Sequence, residues 1–167
     1  MAYYPLNAQN NASIEIGIPY TPNVSFVYGL DYHPQWYTQL KPAVGLAFGG
    51  GGGSIDWSAA MLNFTVEQRY YYNMPKRQEQ GKRTDFKSAN FISLRPSVYY
   101  PCFFSSYKPV INDSFTCTVN WGMRRAVGKS CYFDGSFGYG PAYLKSNKSW
   151  DGLFAINLGF GVAFNKQ

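Results

Sequence analysis

Asp151-Gly152-Leu153-Phe154-Ala155-Ile156-Asn157-Leu158-Gly159-Phe160-Gly161-Val162-Ala163-Phe164-Asn165, close to the C-terminus, carries an apolar residue at every second position from Phe154 to Phe164. The positions between are Ala155, Asn157, Gly159, Gly161 and Ala163, all small or polar. A strand turns successive side chains to opposite faces, so one face of this segment is wholly apolar and the other thin and polar. A six-member apolar stripe of this kind suits a strand that spans a membrane, with lipid on the apolar side and a crowded barrel lumen on the other.

Seven further segments repeat the pattern. Cys131–Leu144 sets Phe133, Phe137, Tyr139 and Tyr143 against Asp134, Ser136, Gly138, Gly140 and Ala142. Ser93, Arg95 and Ser97 alternate with Ile92, Leu94, Pro96, Val98 and Tyr100, and Thr116, Thr118, Asn120, Gly122 and Arg124 with Phe115, Cys117, Val119, Trp121 and Met123. Leu62, Phe64, Val66, Tyr70 and Tyr72 do the same against Asn63, Thr65, Glu67 and Arg69. Shorter versions run over 36–48, 24–32 and 13–20. Each segment is near the ~9–11 residues that cross a bilayer at a tilt, and eight strands make the smallest membrane barrel. The expected fold is therefore all-β: an eight-stranded antiparallel up-and-down transmembrane barrel with a side-chain-filled polar lumen. No segment reads as a helix. Pro42, Pro96 and Pro141 fall on the outward phase, where local bulges are expected to absorb them.

Composition agrees. In 167 residues, aromatics make up 19% and charged residues only 14%, with 17 Gly, 10 Pro and 15 Tyr. Mean hydropathy is −0.29, and no window approaches the ~20 consecutive apolar residues of a transmembrane helix. Alternation hides hydrophobicity from a window average. Met1–Asn10 lacks the charged start and apolar core of a signal peptide, although Leu6-Asn7-Ala8 resembles the end of a cleavage site. Residues 1–12 are accordingly expected to be an N-terminal tail, a signal remnant or tag, ahead of a barrel domain at 13–165. Gly49–Gly53 reads as a natural flexible loop or a Gly/Ser replacement of a longer one. Cys102, Cys117 and Cys131 have neither zinc nor disulfide-framework spacing, and a single Cys102–Cys117 bridge is the pairing their shared loop would allow.

Two groups of residues carry the functional reading. The inward phase holds Glu15, Asp31, Glu67 and Asp134 together with Lys41, Arg69, Arg95 and Arg124. Isolated charges inside a narrow barrel are costly, so these are expected to interlock as a lumen charge network that fixes register and blocks flow. A gated ion path or polar ligand site is the alternative. The loop 73–89 holds Lys76, Arg77, Lys82, Arg83 and Lys87 against Glu79 and Asp85. It reads either as a solvated cover or as a docking surface for an envelope protein or anionic polymer. Nucleic acid is not expected, because aromatics do not alternate with these bases and the rest of the chain is not basic. The lone His33, beside Pro34, offers no Ser-His-carboxylate set, and no cluster has metal-ligand spacing, so no catalytic residue, metal or cofactor is expected.

Glu67-Gln68-Arg69-Tyr70-Tyr71-Tyr72-Asn73-Met74-Pro75-Lys76-Arg77, continuing through Gly81-Lys82 to Ala89-Asn90-Phe91-Ile92-Ser93-Leu94, resembles a pattern in small uncharacterised barrel proteins of Bacteroidetes. There an E-x-R-x-Y-Y-N strand end precedes a K-R…G-K loop and an N-F-x-S-L strand. Trp121-Gly122-Met123-Arg124-Arg125…Gly128-Lys129 is similar to their W-G-x-x-R-x-x-G-K stretch. Together these cover about a quarter of the chain. The resemblance implies a bacterial outer-membrane barrel, in contact with outer-membrane lipid, and brings no known activity. The expected role is thus a non-enzymatic structural or accessory barrel presenting loops to a partner. A soluble lipocalin-like ligand-binding barrel and a lipid-modifying barrel enzyme are the competing classes. The first needs an apolar interior, the second a Ser-His-carboxylate set, which the lone His33 opposes.

Overall fold

The computed structural model describes residues 9–18, 22–49, 57–102, 113–145 and 148–164. Eight strands form a closed barrel in sequence order. They are β1 (Gln9–Ile18), β2 (Asn23–Asp31), β3 (Trp36–Gly49), β4 (Trp57–Tyr70), β5 (Asn90–Cys102), β6 (Ser114–Val127), β7 (Cys131–Leu144) and β8 (Ser149–Ala163). Every neighbouring pair is antiparallel, and β8 closes on β1 through Ser13↔Ala163 to Ile18↔Leu158. The all-β, up-and-down architecture expected from the alternation is the one observed. β1 begins at Gln9, inside the segment read as a tail, and the run 50–53 lies outside the described residues.

Following the register once round the barrel, from Ile14 through positions 26, 42, 64, 98, 115, 143 and 150, arrives twelve residues along the line of β1 from the start. Twelve residues at ~3.3 Å against eight strand spacings of ~4.8 Å tilt the strands by about 45°. The faces divide as the pattern dictates. Ile16, Val44, Val119, Tyr139, Phe154 and Leu158 stand on the outside, while Glu67, Arg69 and Gln39 are wholly enclosed. Apolar outside and ionic inside inverts the usual soluble arrangement.

The prolines do not produce bulges. Register runs unchanged past each of them, from Ser25↔Ala43 to Tyr28↔Leu40, from Thr65↔Ser97 to Gln68↔Leu94, and from Thr116↔Ala142 to Val119↔Tyr139. Pairing lapses instead at Pro42, Pro96 and Pro141, each time toward the preceding strand, because a residue without an N–H cannot supply the rung. Toward the following strand each stays paired, with Phe64, Cys117 and Gly152.

The termini share one end of the barrel with the connections 32–35, 71–89 and 128–130, called here the terminal end. The connection 71–89 is not the helix-free loop the sequence suggested. It folds into α1 (Met74–Glu79), started by Pro75 in the first turn, and a short 3-10 turn at Asp85–Lys87. Proline has no N–H to lose there and a pre-set φ, so it begins a helix without cost.

Candidate functional site

The densest chemistry in the molecule is a stack of charges inside the barrel near the terminal end. β4 points Glu67 and Arg69 inward, β5 Arg95, β6 Arg124 and β7 Asp134, all buried. Arg69 grips Asp134 with both terminal nitrogens, Nη1 at 2.5 Å and Nη2 at 3.1 Å, and Arg124 Nε donates to the same carboxylate at 2.6 Å. Glu67 accepts from Arg69 Nη2 at 3.0 Å, Arg95 Nη2 at 2.9 Å, Gln39 Nε2 at 2.5 Å and Ser93 Oγ at 2.6 Å. Gln39 closes the circuit by accepting from Arg124 Nη2 at 3.2 Å. Charge-assisted bonds of this kind, bidentate between Arg69 and Asp134, hold planar groups in one orientation.

The other sequence-predicted lumen charges belong to separate pairs. Glu15 bonds Lys41 at 2.6 Å higher in the barrel, and Asp31 is met by Lys87 at 2.7 Å. The inward charges thus form a central cluster and two satellites, not one network. Beside the cluster is a polar cavity of about 50 Å³ lined by Glu15, Lys41, Asn63, Thr65, Arg95 and Asn157, among others. That is room for water, not for an organic ligand. A larger hollow, about 490 Å³, is a shallow apolar trough on the outward face around Pro42, Phe26, Leu62 and Phe64.

An aromatic layer missed in the sequence lies over the charges at the terminal end. Tyr37, Tyr71, Phe91 and Met74 form a buried cluster, with Tyr132 and Phe86 alongside. The guanidinium of Arg69 sits 4.0 Å from the Phe91 ring centre and that of Arg124 4.3 Å from Tyr132, so ring faces cover the groups whose edges meet carboxylates. Space for these rings comes from glycines across the strands. A Cβ on Gly122 would come within 2.5 Å of Phe91 and 2.6 Å of the Gly135 carbonyl; on Gly161 it would strike Tyr132 at 2.2 Å. A ring in the inward phase with a glycine on the next strand was the signal available in the sequence. Burial raises the Tyr71 phenol, opposed by the charges of Arg124 and Arg69.

The connection 71–89 is stitched across this end as a lid. Arg124 N donates to Ala89 O at 2.9 Å, Ala126 N to Ser88 Oγ at 2.6 Å, and Tyr71 N to Gln35 O at 2.7 Å. Lys87 is buried; besides Asp31 it donates to the carbonyls of His33 and Pro34 at 2.9 and 3.0 Å. Phe86 and Lys87 take left-handed backbone, φ 53° and 58°, which non-glycine residues adopt only when packing demands it. Lys87 therefore does not belong to a docking surface. Of the remaining docking candidates, Lys76 and Lys82 are exposed, Arg77 is half-buried, and Arg83 is engaged with Asp85 at 2.6 Å and with the Gly128 carbonyl.

His33 is exposed, its Nδ1 accepting from Gln35 N at 3.2 Å, and Ser25 Oγ is turned to the Glu15 carbonyl at 3.3 Å. Among the described residues no group of three His, Cys, Asp or Glu side chains is placed to hold a metal. Cys117 and Cys131 are free thiols. Cys117 lies opposite Pro96, six positions before Cys102 on β5, so the register holds Cys102 and Cys117 apart and overturns the bridge between them. At the opposite end the exposed Lys145 donates to Asp113 at 2.6 Å, and that bond and charge raise its ammonium above the ordinary lysine range.

No protein-family model, curated protein or solved structure matches this chain.

Proposed function

We propose that this chain is a non-enzymatic barrel of the bacterial outer membrane, a closed structural or accessory component that holds its loops out to a partner. The outward surface carries the reading. Among the described residues, apolar side chains ring the barrel without a charged member between the aromatic edges, and on β7 they run from Phe133 to Tyr143. Ten residues at ~3.3 Å and a 45° tilt make a band about 23 Å tall, close to the ~25 Å of outer-membrane barrels. Water would make so continuous a patch an aggregation surface. Tilted ring pairs border it: Trp36 with Tyr70 at 4.8 Å toward the terminal end, and Tyr143 with Trp150 at 5.2 Å at the other. Rings with a polar tip favour the two membrane interfaces.

Within this reading the charge cluster is a plug, since interlocked pairs and a lid leave no room for a wide aqueous path. The terminal end faces the periplasm, as the paired termini and the tight connections 32–35 and 128–130 do in barrels of this class, with 71–89 the long exception. Lys76 and Lys82 are then the cations on the lid free to meet an anionic envelope component. A lipocalin-type barrel keeps its ligand inside on apolar walls; the described interior is ionic and its cavity about 50 Å³. A lipid-modifying enzyme needs a nucleophile held by a base, and His33 and Ser25 are engaged apart. The resemblance to the small Bacteroidetes barrels points the same way.

The deciding experiment is heat-modifiable migration in SDS with reconstitution into vesicles. Unboiled protein should run faster than boiled protein and co-float with liposomes after a carbonate wash. A chain that stays monodisperse without detergent, and shows one band boiled or unboiled, refutes the proposal.

A further inference from the structure

At the terminal end, two guanidinium groups come together outside the lumen. Arg77, on α1, donates its backbone N–H to Asn73 O at 3.1 Å and Nη2 to Arg83 O at 3.0 Å. Arg125 stands on the outward phase of β6, which runs Val119, Trp121, Met123, Arg125 toward this end. Its Nη1 donates to Arg124 O at 2.7 Å and its Nη2 to Asn90 Oδ1 at 2.5 Å. Asn90 N in turn donates to Asn73 Oδ1 at 2.8 Å, so the two asparagines tie the arginine-bearing segments together. The charge of Arg77 consequently bears on Arg125.

Like charges at close quarters normally have a carboxylate between them. Here each hydrogen-bond partner is a neutral oxygen, and among the described residues neither arginine enters a salt bridge. The Nε of Arg77 is buried and has no hydrogen-bond partner. Two half-covered guanidiniums that no described carboxylate pairs with make a receptor for an anion, and planar forks suit phosphate best.

The neighbours specify the source of that phosphate. Trp121 donates its Nε1 to Tyr72 OH at 3.0 Å, and both rings stand on the outside next to exposed Met123 and Val119. Along β6 the surface passes from apolar side chains to an amphipathic aromatic pair and then to the guanidiniums. Acyl chain, interface and phosphate follow one another in the same order in a lipid leaflet. We propose that Arg77 and Arg125, with Tyr72 and Trp121, bind the phosphate of an anionic phospholipid seated against β6. The inference rests on the membrane reading above and adds a lipid-specific site to it.

The test uses the full chain in neutral detergent, as wild type and as R77Q/R125Q. Each is titrated with short-chain phosphatidylglycerol, the matching phosphatidylcholine, and inorganic phosphate, with bound lipid counted by native mass spectrometry. Two phosphate-facing cations predict that wild type retains phosphatidylglycerol over phosphatidylcholine on the order of 30-fold at low salt, a preference that shrinks as salt rises. R77Q/R125Q should bind both lipids equally. Equal retention by wild type, or an unchanged preference in the double variant, overturns the site. So does inorganic phosphate displacing phosphatidylglycerol at equal concentration, which would make it a free-anion site. If the double variant loses its fast unboiled band, R125Q alone, altered on the outer surface, carries the comparison. Protein that shows no heat-modifiable band at all refutes the membrane reading; protein that shows one without lipid preference refutes only this site.

Discussion

Replacing Asp134 with Asn keeps the shape of the side chain and removes its charge. In the native cluster this carboxylate takes three hydrogen bonds, two from Arg69 and one from Arg124. After the change, Arg69, Arg95 and Arg124 would share Glu67 as their only carboxylate in the cluster. Breaking a buried pair by removing one partner costs roughly 3–5 kcal/mol, because the remaining charge stays desolvated. The Asn oxygen still accepts one bond, worth about 1 kcal/mol. A loss of about 3 kcal/mol is therefore expected, at the lower end of the range. Denaturant titration of the reconstituted barrel, followed by tryptophan fluorescence, measures it. The partner variant Arg124→Met should also destabilise, and combining the two should recover on the order of 1–2 kcal/mol relative to their sum. Additivity within about 0.5 kcal/mol, or an Asp134→Asn midpoint no further shifted than that of Asp113→Asn at the exposed Lys145 pair, would refute the view of the cluster as a mutually dependent plug.

Leu158→Arg should cost about 2–4 kcal/mol in vesicles if that side chain faces lipid near mid-membrane; an unmoved denaturation midpoint counts against the facing. Gly122→Ala forces a methyl against the Phe91 ring and the Gly135 carbonyl, so a destabilisation of roughly 1–3 kcal/mol should appear in detergent as well as in lipid. Lys87→Met strands the Asp31 carboxylate and releases the carbonyls of His33 and Pro34, and faster amide hydrogen exchange at Ala89, Arg124 and Ala126 should report the loosened lid. Pro96→Val restores an N–H where the β4–β5 ladder lapses and should leave stability equal or raise it by about 0.5–1.5 kcal/mol; a clear loss would mean the gap is strained against pairing.

The strand count and the facing of every described strand could be read from the sequence because the molecule is inside out. Ile156 beside Asn157, or Met123 beside Arg124, contrasts more sharply than a soluble strand usually does, and period-two contrast is all that facing requires. Tyr37, Phe91 and Tyr132 escaped because aromatic residues in the inward phase look like noise until their opposing glycines are identified, and opposition needs register. The lid escaped for a similar reason. Nothing in 71–89 signals that Lys87 turns inward, since its partners, Asp31 and two carbonyls of the 32–35 connection, lie on a neighbouring connection that only the tertiary fold brings near. The division of the eight inward charges into a cluster of five, the Glu15–Lys41 pair and an Asp31 met by Lys87 depends on height along tilted strands, which single-strand patterns do not contain. The prolines were placed on the correct face but given bulges, where the chain simply forgoes a rung.

Those missing rungs are not scattered. They lie between β2 and β3, β4 and β5, and β6 and β7, whereas β1–β2, β3–β4, β5–β6 and β7–β8 pair without a lapse. The wall is thus made of four hairpins laid side by side, each with an unbroken ladder between its own two strands, and the three prolines lie on seams between hairpins. A hairpin alone still leaves the outer N–H and C=O groups of both its strands unpaired, and only the neighbours across the seams satisfy them. With fewer rungs to break there, the proline seams are where the cylinder would part first on local opening.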